Sequence, residues 1–430
     1  MCAATEFFMT YEEALQYIHA VSWKGSVPGL SRITELMHRL GDPQLGPKCV
    51  HIVGTNGKGS TAATLSSILT RAGYRTGLFI SPYVIDFRER MQINGEMISR
   101  EALAAVTDDV RPFAETMTDL PTEFELITAI ALTWFNREGC DIVILEAGMG
   151  GEFDATNVIP APEVAVFTNI GLDHTEFLGP TVEAIAATKA GILKPGCDAV
   201  LYPNLPSVEQ VLRDRCAALD VPVTVAEPDC LTPLSHDLDG QRLLWEDRVL
   251  HLPLLGEHQR KNLSVVLAVI DRLRCRGWEI PDAAVTEGVA EVRWPGRFEV
   301  LGREPLFVLD GGHNPQCMEA LLEAAEDYLK GRALTVITGV LADKDYASMF
   351  DRTAVLADRF FTLTPDNPRA LSAQELAQWL GRYGKPVTPC ETVAQAVRLA
   401  LAATPETGAV LAYGSLYLAA EIRSVYQTII

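Results

Sequence analysis

The chain has 430 residues, 48% hydrophobic and 21% charged, a length that favours two domains over one core and a composition typical of soluble globular proteins. Its 56 carboxylates against 36 Lys and Arg leave a net charge of -20, which argues against a nucleic-acid or anionic-membrane partner because phosphate backbones need compensating cations. Nine cysteines scattered without a C-x-x-C pair point to reduced cytoplasmic thiols, and the lack of any long apolar run or basic leader argues against export or membrane insertion.

Thr10-Tyr11-Glu12-Glu13 reads as a capping box opening a helix to about residue 20, and a second helix over 31–40 ends at Gly41-Asp42-Pro43. The apolar run over 50–53 then breaks into Gly54, Gly57 and Gly59, takes up Lys58, and enters a helical pattern over 61–72. That order predicts strand, phosphate loop, helix. Backbone N–H groups converging at a helix N-terminus bind phosphate well, and glycine lets the chain approach closely. Lys58 would reach the β- and γ-phosphates, and the Ser60 or Thr61 hydroxyl could reach Mg²⁺.

The loop is a variant: Ile52 stands where the general pattern has its first glycine, and Gly59 separates Lys58 from the hydroxyls. Gly57-x-Gly59-x-x-Ala62 also satisfies a dinucleotide fingerprint, and a plain glycine turn is the third reading. The dinucleotide reading expects an acidic residue closing the second strand, whereas the run over 75–80 closes on Ser81-Pro82. A nucleoside triphosphate is the favoured ligand.

Beyond the loop the pattern predicts helices over 100–117 and 122–136, strands over 141–146 and 163–169, and a helix over 181–190. Continuous apolar strands alternating with helical periods indicate a parallel sheet covered on both faces. Residues 243–245 and 249–252 suggest a hairpin, followed by a helix over 259–275. Trp294-Pro295-Gly296-Arg297 is the strongest boundary, after which alternation restarts. Strands are expected over 306–309, 334–338, 359–363 and 409–413, with helices over 316–329, 346–357, 373–380 and 393–403. The expected fold is α/β: an N-terminal phosphate-loop ATPase domain (1–296) with a mainly parallel sheet, and a smaller C-terminal Rossmann-like domain (297–430).

Ligands of open α/β sheets bind outside the carboxyl ends of strands. The strand over 141–145 ends in Glu146 beside Gly148, Gly150 and Gly151, a carboxylate suited to Mg²⁺ near a nucleotide. The next strand runs into Asp173-His174, which gives His174 a metal or phosphate role. Asp154-Ala155-Thr156-Asn157 also reads as turn chemistry.

The run His51-Ile52-Val53-Gly54-Thr55-Asn56-Gly57-Lys58-Gly59-Ser60 resembles the signature of the folylpolyglutamate synthase and dihydrofolate synthase family, relatives of the Mur ligases. The similarity continues in order through Ser81-Pro82, Phe124-Glu125, Glu146, Asp154-Ala155-Thr156-Asn157, Asp173-His174, Lys189-Ala190-Gly191-Ile192, Asn262, Trp294-Pro295-Gly296-Arg297, Asp310-Gly311-Gly312-His313-Asn314, Lys344-Asp345 and Gly414-Ser415. The ordered set is far more specific than any fragment. The resemblance implies that Ser81, Glu146 and His174 are Mg²⁺-associated, and that Asn56, Gly57, Lys58, Gly59, Ser60 and Thr61 form the ATP phosphate site. It implies ATP contacts for Asn262 and Arg297, and a nucleotide-facing site at Asp310 and His313. It also implies that Lys189 is carried as a carbamate, and that Phe124, Glu125 and Asp154 stand on the acceptor side.

Three positions depart from the family pattern: Glu152 follows Gly151 where arginine is common, Glu123 replaces an aromatic, and Gly312 replaces alanine. The resemblance implies a cytoplasmic, monomeric, ATP-dependent ligase adding L-glutamate to a reduced folate through an acyl phosphate, with Lys58, Glu146, His174 and Lys189 carrying the chemistry. Dihydropteroate as acceptor, alone or on the same protein, is the nearest alternative. A Mur-type peptide ligase and a non-catalytic nucleotide-binding protein are the others.

Overall fold

Strands that are apolar on both faces need helices on both faces, and the computed structural model, which describes all residues except 1–8, 22, 23, 26, 313 and 343–345, supplies them. Helices α1 (Tyr11–His19) and α2 (Ser31–Arg39) precede β1 (Lys48–Val53), α3 (Lys58–Arg71), β2 (Thr76–Phe79), β3 (Met91–Ile93), β4 (Glu96–Met97), α4 (Arg100–Glu115) and α5 (Glu123–Arg137). There follow β5 (Ile142–Glu146), β6 (Val164–Phe167), α6 (Thr175–Leu178), α7 (Val182–Lys189), β7 (Asp198–Leu201), α8 (Pro206–Ala218) and β8 (Val223–Val225). The sheet order is β4-β3-β2-β5-β1-β6-β7-β8. It is parallel from β2 to β8, with β3 and β4 antiparallel at one edge.

Successive side chains of β1 point to opposite faces, and both faces are buried. Cys49 and Val53 of β1 share a face, the first packing with Leu126 and Ile130 of α5 and the second with Ile185 of α7 and Leu212 of α8. Val50 and Ile52, on the other face, are also fully buried. An antiparallel sheet of β9 (Leu231–Asp237), β10 (Gly240–Trp245) and β11 (Arg248–Leu252) comes next, then α9 (Glu257–Cys275) and α10 (Asp282–Glu291).

The remaining elements are β12 (Glu299–Arg303), β13 (Leu306–Leu309), α11 (Pro315–Tyr328), β14 (Leu334–Thr338), α12 (Tyr346–Leu356), β15 (Arg359–Thr362), α13 (Ala373–Leu380), β16 (Val387–Pro389), α14 (Val393–Ala403), β17 (Ala409–Tyr413) and α15 (Leu416–Ile429). Their sheet runs β12-β13-β17-β14-β15-β16, with only β12 antiparallel. Leu306 and Val308 pack with Met318 and Leu321 of α11 and Phe350 of α12, whereas Phe307 and Leu309 pack with Val397 of α14 and Ile422 of α15. This sheet is therefore covered on both faces, as the alternation predicts.

The chain divides into two compact units, Met1–Cys230 with Lys261–Glu291, and Leu231–Arg260 with Val292–Ile430. A single cut after residue 296 differs from this division: β9, β10 and β11 group with the C-terminal unit although they precede α9. The hairpin expected over 243–252 is present as β10 and β11. The sequence pattern did not reveal β3, β4, β7, β8, β9, β12, β16, α6, α8, α10 or α15, most of them too short or too weakly periodic to stand out.

Helix α10 packs on α3 through Gly288: a Cβ there would lie 2.5 Å from the Ile68 Cα, and the Ser67 hydroxyl donates to the Gly288 carbonyl at 2.7 Å. The Gly288→Ala variant should lose about 1–3 kcal/mol, because backbone contacts cannot yield as side chains do. Urea unfolding of the variant beside the parent measures it.

Candidate active site

The phosphate loop follows directly from β1. Gly57 caps α3 in the left-handed region (φ +85°), and its missing Cβ leaves room for the Asn262 side chain, which would otherwise stand 2.6 Å away. Gly54 is held closer still, since a Cβ would fall 1.8 Å from the Thr168 hydroxyl. The loop is tied to the segment after β6: the Thr55 and Asn56 amides donate to the Asn169 carbonyl at 2.7 and 3.2 Å, and the Gly171 amide donates to the Thr55 hydroxyl at 3.0 Å. Helix α3 starts at Lys58 rather than residue 61, so Lys58, Gly59, Ser60 and Thr61 form its first turn. The Thr61 hydroxyl is fully buried and has no hydrogen-bond partner among the described residues.

Parallel pairing sets Ile52 of β1 beside Glu146 of β5, bringing the carboxylate to the same sheet edge as the loop. Its Oε1 lies 3.9 Å from the Lys58 Nζ, and its Oε2 accepts the Ser81 amide at 3.3 Å. Lys58 also donates to the Thr55 carbonyl at 3.2 Å. The Ser81 hydroxyl accepts from the Arg90 Nη1 at 3.0 Å. Lys58, Glu146 and Ser81 are thus joined directly. His174 is exposed, in the left-handed region (φ +51°) at the start of α6, with its amide donating to the Asp173 carboxylate. It lies beyond β6, on the far side of β1 from Glu146. No cluster of three or more His, Cys, Asp or Glu able to hold a metal occurs among the described residues.

Lys189, the last residue of α7, is buried with its Nζ donating to the Gly54 carbonyl at 2.9 Å. Burial, helped by the Lys58 charge and opposed by Asp154 and Asp173, pulls its pKa down to about 7. Asp154 is itself buried, and desolvation raises its pKa against the hydrogen bonds it accepts. Those come from the Thr156 hydroxyl at 2.5 Å and the amides of Thr156 and Met149 at 3.0 and 2.8 Å. Because a carboxylate only accepts, the Thr156 hydroxyl must donate to it, and His51 Nε2–H therefore donates to Thr156 Oγ1 at 2.7 Å. His51 is fully buried, which pushes its pKa down to about 3 and keeps it neutral.

Glu125 belongs to the capping box of α5, where its Oε2 accepts the Thr122 amide at 2.7 Å and the buried Arg32 Nε at 2.9 Å. Its Oε1 is buried without a hydrogen-bond partner among the described residues. Phe124 sits against Gly148, whose Cβ would lie 2.7 Å from the ring, so glycine at 148 is what admits the phenyl group. Glu123 pairs with His19 at 2.7 Å, and Glu152 is exposed. Arg32, Arg90 and His51 received no role from the sequence. An arginine on an amphipathic helix or in a charged loop gives no local sign of burial or of an aromatic bed.

In the C-terminal unit, Asp310 is buried at the end of β13, accepting the Phe298 and Gly312 amides at 2.8 and 2.6 Å. Desolvation raises its pKa while the Arg297 charge lowers it. Arg297 Nη1 donates to the Gly296 carbonyl at 3.0 Å. His313, like Lys344 and Asp345, lies outside the described residues.

A glycine loop at the N-terminus of α3, with a lysine, a carboxylate and a serine converging on it, defines an α/β protein of the phosphate-loop class. Residues 52–270 match the Mur ligase middle domain and residues 296–416 the Mur ligase glutamate ligase domain. The chain is 36% identical to the dihydrofolate synthase/folylpolyglutamate synthase of Bacillus subtilis, over 86% of this chain and 88% of that protein. It is 35% identical to the folylpolyglutamate synthase of Lacticaseibacillus casei, over 96% and 98%. Among solved structures, Mycobacterium tuberculosis folylpolyglutamate synthase complexed with ADP and AMPPCP superposes with a TM-score of 0.88 at 31% identity, covering 97% and 99% of the two chains. E. coli FolC in complex with DHPP and ADP gives 0.85 at 29% identity, with 98% of each covered. The chain belongs to the folylpolyglutamate synthase and dihydrofolate synthase family of Mur ligases.

The depressed Lys189 pKa makes a signed prediction. Between about pH 7 and the unfolded lysine value near ~10.4 the unfolded chain binds more protons than the folded one, so stability rises with pH across that window and the contribution is flat below it. In protein freed of CO₂, so that the Lys189 amine is unmodified, the parent should gain stability relative to Lys189→Met between about pH 7 and ~10, followed by urea unfolding of both proteins.

Proposed function

We propose that this chain is an ATP-dependent ligase that adds L-glutamate to the γ-carboxylate of a reduced folate, releasing ADP and phosphate. The observation that carries the reading is the meeting of Lys58 with Glu146, and of Glu146 with Ser81, at the carboxyl edge of the parallel sheet. A carboxylate is a poor acyl donor until one oxygen is phosphorylated. Its oxygen attacks the γ-phosphorus of ATP, the bond to the bridging oxygen breaks, and ADP leaves. The glutamate amine then attacks the acyl carbon, losing a proton and expelling phosphate. The phosphate-loop amides position the triphosphate, and Lys58 offsets charge on the transferring group. Asn262 packs against Gly57 and would border the nucleotide in the first unit. Arg297, Asp310 and His313 are assigned to the nucleotide in the second.

The donor set suits Mg²⁺, a hard cation that takes one or two protein oxygens beside substrate phosphates. Glu146 supplies a carboxylate, Ser81 a hydroxyl, and the buried Thr61 hydroxyl is without a partner among the described residues. Ser81 and Glu146 would hold the ion, which would neutralise phosphate charge, and His174, beyond β6, is assigned to the metal from the other side of β1. We assign Lys189 a carbamate. A buried amine with a pKa near 7 has a nucleophilic neutral fraction at neutral pH, so its nitrogen can bond to CO₂ carbon with loss of a proton. Incubation with ¹³CO₂ should give a carbamate carbon resonance that Lys189→Ala lacks. Phe124, Glu125 and Asp154 are assigned to the acceptor. Glu125 Oε1, buried without a partner among the described residues, suits an N–H donor of the pterin.

A second reading, dihydropteroate as an additional acceptor, is supported by the paired activities in the name of the B. subtilis relative. Either acceptor is a small soluble molecule, and the reading takes the enzyme as a cytoplasmic monomer. No described helix is long and apolar enough to cross a membrane.

Purified protein with ATP, Mg²⁺ and glutamate should release ADP and yield a product one glutamyl residue heavier when tetrahydrofolate is added. Dihydropteroate, offered separately, reports the second activity. Lys58→Ala should fold normally and lose about 100- to 1000-fold in kcat, and Glu146→Gln and His174→Ala should raise the Mg²⁺ requirement. Near-parental turnover by folded Lys58→Ala removes the phosphate-loop assignment.

A further inference from the structure

We propose that Arg90 receives the acceptor's reacting carboxylate, an assignment that rests on the ligase reading above. The Ile80 amide donates to the Arg90 carbonyl at 3.1 Å, which fixes this residue beside the carboxyl end of β2. From there its Nη1 reaches the Ser81 hydroxyl at 3.0 Å. Ser81 in turn touches Glu146, and Glu146 lies 3.9 Å from Lys58. Two cations therefore approach the Ser81–Glu146 corner, Lys58 from the phosphate loop and Arg90 from the loop after β2.

The other charges of that loop are turned inward. Arg88 is held by Asp86 at 2.7 Å, and the Glu89 carboxylate accepts the amides of Val84, Ile85 and Asp86 at 2.7 to 3.0 Å. The Arg90 Nη1 donates to the Ser81 hydroxyl, and its guanidinium lies over two aromatic faces. Its guanidinium carbon stands 5.2 Å from the Tyr83 ring centre and 5.7 Å from that of Phe87. Such a bed orients the plane of the guanidinium while leaving it charged.

The reaction needs a cation at this place. Phosphorylating a carboxylate brings two anions together, and Lys58 serves the nucleotide. A guanidinium offers parallel N–H donors matched to a carboxylate, an orienting geometry that an ammonium lacks. Held by Arg90, the carboxylate is oriented so that one oxygen forms the new bond to phosphorus while the bridging P–O bond breaks and ADP departs. The guanidinium keeps its protons throughout.

Binding measured by calorimetry tests the assignment, using the full chain loaded with AMPPCP and Mg²⁺ and two probes, tetrahydrofolate and its γ-carboxamide. Arg90→Gln should weaken tetrahydrofolate at least about 30-fold, yet change carboxamide binding by no more than about twofold, because the amide presents no charge to lose. Arg90→Lys should recover part of the loss, and the Mg²⁺ dependence of AMPPCP binding should stay at the parental value. Equal weakening of both probes would mean that Arg90 only shapes the loop. A shifted Mg²⁺ dependence with unaltered folate affinity would mean that it acts through Ser81. Either result overturns the proposal. A parent enzyme that never ligates glutamate defeats the ligase reading itself, whereas normal ligation with unchanged folate affinity in Arg90→Gln defeats only this assignment.

Discussion

Lys58 stands between the Thr55 carbonyl and the buried Glu146 carboxylate, and much of the first unit serves to hold that arrangement. A buried carboxylate is costly unless a cation and N–H donors meet it. Here the cation comes from the first turn of α3 and one donor from Ser81. The pairing requires β1 and β5 to be neighbours in register, which sets Ile52 beside Glu146. It also requires the loop to lie flat against the segment after β6, which Gly54 permits because any side chain there would strike Thr168. Sheet order, glycine placement and site chemistry are in this sense one constraint.

A second layer of buried polar groups supports the first. The chain from His51 through Thr156 to Asp154 links β1 to the turn after β5, and Asp154 also accepts the Met149 amide. Each hydrogen has one direction available, so the network fixes a tautomer as well as a loop. Lys189 joins the phosphate loop from the other side by donating to the Gly54 carbonyl. The charge of Lys189 is set there by its burial and by its neighbours Lys58, Asp154 and Asp173.

Much of this was legible before any coordinates. The glycine spacing around Lys58, the polar residues ending each apolar strand and the Pro-Gly break near Pro295 are local signals, and they marked the glycine loop ahead of α3, the strand-end positions of Glu146 and His174, and the start of the second alternation. What was illegible depends on distant partners. Burial of Arg32 against Glu125 joins residues 93 positions apart, and the aromatic setting of Arg90 depends on how one loop folds back. The grouping of β9, β10 and β11 with the C-terminal unit had no local marker, because a hairpin has the same pattern whichever core receives it. Helix α10 is short, and Gly288 lowers its apparent propensity although the close contact with α3 is what the glycine provides.

The two ends of the eight-stranded sheet have a consequence for behaviour at high concentration. A sheet edge is a template on which a foreign strand can add, and the hazard grows with the length of flat, unpaired backbone. One edge here is β4, two residues long, exposed and carrying Glu96; the other is β8, only three residues long. The long apolar strands β1, β5 and β6 are all interior. A fibril seeking to propagate from this sheet would find only a stub at either margin, with a carboxylate on one of them, and its extended hydrophobic segments would become available only after unfolding.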